Sequence, residues 1–282
     1  MLDLYSCGEA DAAILADYPG NKLRIYKRSF NDLPWPLWQL MVIKNKRLIY
    51  NPIGKNGSSS LRSTILGLSD ASPDVKRLPL DTYTTGLQLG DLPFDEAMEI
   101  LHDQSYVKFA IIRDPFDRLV SAYLEKFVAN RMILGNQFHT RSVISHVLGV
   151  QFPSQDDFSK SITFSQFVDY IVSHQPHQLD PHWCPQFIYL QNVIYKLFRL
   201  DDLEELYVLL EIGNEVTRKL NVTRLDAAEV AKAYELTPDK MPHSNIATKC
   251  FFDENIGRKV KSYFALDFTL AYSLARTGRS SL

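Results

Sequence analysis

The stretch Arg47-Leu-Ile-Tyr-Asn-Pro-Ile-Gly-Lys-Asn-Gly-Ser-Ser-Ser-Leu61 sets a short apolar strand directly before a loop suited to an anion. Lys55 brings positive charge, Gly57 lets the backbone come close to a ligand, and Ser58, Ser59 and Ser60 offer hydroxyls where a helix is expected to begin. The first N–H groups of a helix lack intrahelical partners and lie at the positive end of its dipole, so phosphate or sulfate is a natural guest. The P-loop of the NTPases needs a glycine, four residues, then Gly-Lys-Ser/Thr. Here Ile49 stands at the first glycine position and Asn56 follows Gly54-Lys55, so that motif is absent. Taken alone, the loop fits a solvated lysine-glycine turn equally well.

A second segment favours the ligand reading. Tyr106-Val-Lys-Phe-Ala-Ile-Ile112 has the length and β-branched content of a buried strand, and it runs straight into Arg113-Asp114-Pro115. Asp114 suits an N-cap and Pro115 the first helical turn, so strand, turn and helix follow almost without a spacer. Phe116, Leu119, Val120, Tyr123 and Leu124 then recur at helical spacing, and Arg113 and Ser121 could both approach one bound group. The plainer alternative is a capped helix with its arginine in a salt bridge.

Strands are expected at 47–51, 107–112 and 193–199, followed by helices at 59–68, 115–128 and 201–212. This alternation implies an α/β fold, a P-loop-like parallel sheet flanked by helices, with ligands beyond the carboxyl ends of the strands. An amphipathic helix is expected over 163–173, and the polar stretch 130–162 reads as an irregular, acceptor-facing loop.

Two resemblances now become specific. The order of Gly54-Lys55-Asn56-Gly57-Ser58-Ser59-Ser60-Leu61 resembles the 5′-phosphosulfate loop of sulfotransferases, Pro-Lys-Thr-Gly-Gly-Thr-Ser-Leu. Tyr106 to Phe127 resembles the 3′-phosphate segment of Golgi-type carbohydrate sulfotransferases, the group that includes the chondroitin 4-O- and HNK-1 sulfotransferases. Further likeness lies in Leu179-Asp-Pro-His-Trp-Cys-Pro-Gln186, in Val193 to Leu210, in His243-Ser244-Asn245 and in Tyr263 to Phe268. Gly54 and Asn56 depart from the family's proline and threonine, a change expected to loosen the loop, and the first forty-odd residues match nothing nameable.

The resemblance implies the sulfotransferase fold and an O-sulfotransferase that uses 3′-phosphoadenosine 5′-phosphosulfate and releases adenosine 3′,5′-bisphosphate. Lys55, Asn56, Gly57, Ser58, Ser59 and Ser60 would cradle the phosphosulfate, while Arg113 and Ser121 would hold the 3′-phosphate. Sulfuryl transfer requires an aligned acceptor hydroxyl and stabilised charge on the departing phosphate, the part assigned to Lys55. A base must take the acceptor proton; His182 is the first candidate and His102 a distant second. The alternative for His182 is a histidine that orients a proline-rich loop. Trp183 would pack it or stack on a sugar. His243 could serve donor or acceptor, with Asn245 and Lys249 weaker.

Two other functional readings stay open: an ATP-dependent kinase-like phosphotransferase, and a catalytically silent glycan-binding protein of the same fold. No metal is called for, since His174, His177 and His182 share no helical face.

Composition bounds the rest. The 282 residues, 45% of them apolar, suffice for one domain with a full core, and no linker or repeat divides them. One sulfotransferase domain over 1–282 is expected, residues 1–45 being an unmatched extension. A formal net charge of −2 gives no field for nucleic acid or an anionic membrane. The longest apolar run, 33–43, is interrupted by Pro34, Pro36 and Gln39 and is shorter than the roughly 20 residues a bilayer requires. With three scattered cysteines, Cys7, Cys184 and Cys250, the chain reads as a soluble cytoplasmic enzyme of bacterial type, or as a trimmed piece of a longer one. The sequons at Asn56 and Asn221 read as chance. The acceptor is a glycan or other hydroxyl compound, and its identity and the oligomeric state do not follow from the sequence.

Overall fold

The apolar runs on either side of the loop pair with one another. The computed structural model describes residues 33–70, 86–191, 193–212, 228–242 and 245–277. Its elements are β1 (Met41–Ile43), β2 (Leu48–Asn51), α1 (Ser58–Leu68), α2 (Phe94–His102), β3 (Val107–Ile112), α3 (Pro115–Tyr123), α4 (Leu134–Leu148), α5 (Gln155–Lys160), α6 (Phe164–Val172), β4 (Lys196–Arg199), α7 (Glu204–Leu210), α8 (Glu254–Tyr263) and α9 (Ala265–Thr277). The sheet order is β1-β2-β3-β4. β2 and β3 are parallel, with Tyr50 opposite Phe109 and their rings stacked at 5.2 Å. β1 adds an antiparallel strand beside β2, which the sequence reading did not anticipate. All four residues of β2 are buried, which is why it reads as a continuous apolar run and not as an alternation. The expected α/β class is the observed one.

The described chain gathers into two compact units that trade segments along the sequence. The first draws on the stretch ending at Ile53, on Gly57–Ile111 and on Asn192–Phe198. An aliphatic cluster packs Leu40 and Val42 around β1, Ile49 of β2, and Ala97, Ile100 and Leu101 of α2, beside the buried rings of Tyr50, Phe109 and Phe198. The second draws on Gly54–Asn56, Ile112–Gln191 and the chain from Arg199 onward. Its core is aromatic. Tyr123 meets Phe127, Phe164, Phe167 and Phe251, and Trp183 closes on Phe127 and Phe167. The Tyr123 hydroxyl, wholly buried, donates to the Ile162 carbonyl at 2.8 Å, so the ring costs no unpaired polar group.

Two expectations need correction. The helix expected over 115–128 is α-helical only to Tyr123 and continues as a π-helical turn, Leu124–Ala129. The stretch 130–162 is mostly helical, carrying α4 and α5. Its apolar period is weak because the inward face of α4 includes Asn136, Gln137 and Thr140 beside Val143 and Ile144. Hydrogen bonds make that burial tolerable: Asn136 Nδ2 donates to the Lys126 carbonyl at 2.6 Å and Gln137 Nε2 to the Arg131 carbonyl at 3.3 Å. The helix expected over 163–173 is α6, opened by a capping box between Thr163 and Gln166. Among the described residues no helix is long and apolar enough to cross a membrane.

Candidate functional site

The three residues Gly54, Lys55 and Asn56 leave the first unit and belong to the second, with Arg113, Ser121 and His182. Lys55 adopts a left-handed backbone, φ +70°, and Gly57 follows at φ +73° as the residue before α1. A non-glycine residue there costs roughly 1–2 kcal/mol, so the surroundings must hold the turn. Arg118 does much of this. Its guanidinium, only 2% of the residue being exposed, donates to the carbonyls of Gly54 at 2.9 Å, Cys184 at 2.6 Å and Pro181 at 3.2 Å. Gly54, the departure from the family's proline, is small because the backbone passes close by: a Cβ there would meet the Pro181 carbonyl at 3.2 Å. Ser58, Ser59 and Ser60 open α1 in the first unit, Ser59 and Ser60 exposed.

Gln186 connects the two sequence segments read as a donor site. Its Oε1 accepts from Asn56 Nδ2 at 2.6 Å and from the Arg113 backbone N–H at 3.0 Å, while its Nε2 donates to the Arg113 carbonyl at 2.9 Å. Arg113 Nη1 donates in turn to the Lys55 carbonyl at 3.0 Å. Asn56 is therefore fully buried and tied, correcting the expectation that it loosens the loop, and it is no place for a glycan. Gln186 is itself held from α9: Asp267 accepts from the Gln186 N–H at 2.7 Å and the Phe187 N–H at 3.0 Å. Burial pushes the Asp267 carboxyl up, against those two N–H donors. The sequence shows Gln186 and Asp267 only as family likeness, and the one local signal is a glutamine directly after Pro185.

Arg118 and Ser121 are three residues apart on α3, and Glu125 lies four further, on the π-helical turn that continues it. Arg118 and Glu125 both reach the Gly54–Asn56 loop, and half-buried Ser121 lies between them in the chain. Glu125 accepts the Lys55 ammonium on Oε2 and lies 3.3 Å from the Lys126 ammonium through Oε1. Burial pulls the Lys55 pKa down while Glu125 opposes it. Burial pushes Glu125 up, but Lys55 and then Lys126 outweigh it and hold the carboxyl below its usual range. The sequence reading missed Glu125, Lys126 and Arg118, which look like ordinary helix-surface charges.

His182 Nδ1 lies 2.7 Å from Asp180 Oδ1, and His139 Nδ1 lies 2.8 Å from Asp180 Oδ2. One carboxylate thus orients two imidazoles, leaving Nε2 of His182 as its other ring nitrogen for chemistry. Burial would push Asp180 up, yet the two histidines hold it well below the usual carboxylate range. His182 is pulled down by burial, against the opposing pull of Asp180. The three potential ligand atoms lie within 4.8 Å of one another, and each imidazole sits at hydrogen-bond length from a different oxygen of Asp180. His139, from α4, was not a sequence candidate. Trp183 is 1% exposed and packs in the aromatic core, so it supports His182 from behind and has no face for a sugar. His102 is exposed at the end of α2 in the first unit, Asn245 is exposed, and Lys249 pairs with Glu229 at the surface; His243 lies outside the described residues.

Comparison with known proteins bears on this arrangement. Mouse carbohydrate sulfotransferase 14 is 29% identical over 153 residues, which cover 54% of this chain and 39% of the mouse protein. Human carbohydrate sulfotransferase 14 is 28% identical over 193 residues, 64% of this chain and 50% of the human one. Mouse carbohydrate sulfotransferase 8 is 27% identical over 158 residues, 51% and 35% of the two chains. The matches thus span half or less of these relatives. No solved structure matches at a significant level. The model of the sulfotransferase family matches residues 38–271, which take in Lys55, Arg113, Ser121, His182, Gln186 and Asp267, and the chain belongs to that family.

Proposed function

We propose that this chain is an O-sulfotransferase that moves a sulfuryl group from 3′-phosphoadenosine 5′-phosphosulfate to a hydroxyl of a carbohydrate acceptor. The observation that carries the reading is the joining of the two anion-binding segments, with Arg113 Nη1 on the Lys55 carbonyl and Gln186 bonded to both Asn56 and Arg113. The residues present fit a bisphosphorylated donor. Buried Lys55 and Lys126 share one carboxylate, and Arg113 adds a guanidinium suited to phosphate oxygens.

In this scheme Lys55 and Asn56, with Gly57 and the hydroxyls of Ser58, Ser59 and Ser60 that follow in the chain, hold the phosphosulfate end. Arg113 and Ser121 hold the 3′-phosphate. The donor supplies a sulfur centre that passes in line from its phosphate oxygen to the acceptor oxygen, leaving adenosine 3′,5′-bisphosphate. Lys55 offsets charge growing on that phosphate, and His182, oriented by Asp180, takes the acceptor proton at Nε2. The names of the relatives support a glycan acceptor.

The family match runs through both units and supports reading them as one sulfotransferase domain. Cys184 and Cys250 are free thiols among the described residues, and cell fractionation would test whether the chain is cytoplasmic.

Calorimetry without magnesium tests the donor. Adenosine 3′,5′-bisphosphate should bind the wild type, and Lys55→Ala and Arg113→Ala should each weaken it about tenfold or more. Unchanged affinity in both variants, or binding only of ATP with magnesium, would overturn the assignment.

A further inference from the structure

A second lysine lies beside the first. Lys126, on the π-helical turn Leu124–Ala129, is 9% exposed, and its ammonium approaches Glu125 Oε1 while Lys55 occupies Oε2 of the same carboxylate. Side chains adjacent on an α-helix face apart. On the wider π turn Glu125 reaches Lys55 while the ammonium of the next residue, Lys126, approaches the same carboxylate, and π turns recur at functional sites. The ammonium of Lys126 lies 3.3 Å from Glu125 Oε1, and its charge also bears on Lys55 and on His182. Two nearly buried ammonium ions on one carboxylate leave one positive charge that this carboxylate does not balance. A buried charge needs a partner, and Glu125 alone cannot neutralise both ammonium ions.

Resting on the donor assignment above, we infer that Lys126 is a second ammonium ligand, one that holds the sulfuryl oxygens of the donor between Lys55 and His182. Lys55 then serves the departing phosphate and Lys126 the group in transit. The division explains why the chain buries a lysine directly after the glutamate that pairs with Lys55.

The difference between two nucleotides tests this without an acceptor. Adenosine 3′,5′-bisphosphate lacks the sulfuryl group and 3′-phosphoadenosine 5′-phosphosulfate carries it, so calorimetry on the full chain with each gives a ratio of affinities. Lys126→Met should lower affinity for the phosphosulfate about tenfold while changing the bisphosphate no more than twofold, and Lys126→Arg should restore part of the ratio. If Lys126→Met does not fold, Lys126→Gln takes its place. A parallel loss for both nucleotides with a lower Tm, or an unchanged ratio, would overturn the role. Wild-type protein that binds neither nucleotide would instead remove the donor assignment itself, whereas wild type binding both with the ratio intact in the variant removes only the inference about Lys126.

Discussion

Lys55 gathers the chemistry of the site at a single residue: a strained backbone, a nearly buried ammonium and a carboxylate partner. The sequence made its charge and its place before a glycine-serine run legible. That it would share Glu125 with Lys126 was not, since a charge on a helix surface and a charge turned into a site look alike in sequence. The same holds for His182, whose partner His139 lies 43 positions away on α4. A pH profile belongs at this scale. The base must be neutral, so turnover should rise with pH through the depressed His182 pKa and level off by neutrality. Asp180 favours the imidazolium, so Asp180→Asn should shift that acid limb to still lower pH while cutting the plateau on the order of a hundredfold through lost orientation. Rates measured from pH 4 to 8 with an acceptor found from a glycan panel check both; an acid limb moving to higher pH would contradict the roles. Asp180 itself titrates well below the usual range, so its contribution to stability is full at neutral pH and is lost only as pH falls through that low value.

At the level of elements, α3 does most to define the site. Arg113 sits just ahead of it, Arg118 and Ser121 ride on it, and its π-helical continuation carries Glu125 and Lys126. Its start follows from local chemistry: Asp114 accepts from the N–H groups of Phe116 at 2.9 Å and Asp117 at 3.3 Å, and Pro115 occupies a position where no N–H is needed. Asp114→Ala should therefore cost about 1 kcal/mol in denaturant unfolding, while Asp114→Asn, an equally good cap, should cost little. Equal losses in the two variants would mean that the charge of Asp114, and not its capping oxygen, matters. The end of α3 was not legible, because nothing in Leu124 to Ala129 breaks the apolar spacing that an α-helix would have. The helix α4 escaped for the opposite reason: its buried face is partly amide and hydroxyl, and its amide donors find their partners outside the helix, on Lys126, Arg131 and Gln155.

Across the whole molecule, long-range hydrogen bonds keep the site together. Asp267, wholly buried on α9, receives two N–H groups from the segment that carries Gln186, and Gln186 holds Asn56 and Arg113. Asp267→Ala should cost on the order of 3 kcal/mol in stability by stranding those two donors, and should also weaken adenosine 3′,5′-bisphosphate binding although no role at the ligand is assigned to it. Full nucleotide affinity in that variant would show that the anchoring does not reach the site. The sequence by itself determined the α/β class, the strand-to-helix turns at Lys55 and Arg113 and the family likeness, because runs of apolar side chains, caps and short motifs are local properties of the chain. Only the tertiary structure decided that Gln186 and Arg118 clamp the loop, that Asp180 orients two histidines, that Trp183 is core and that Lys126 faces inward. Each of these depends on partners brought together from distant positions, and whether a polar side chain is solvated or buried depends on what packs against it and not on its neighbours in sequence.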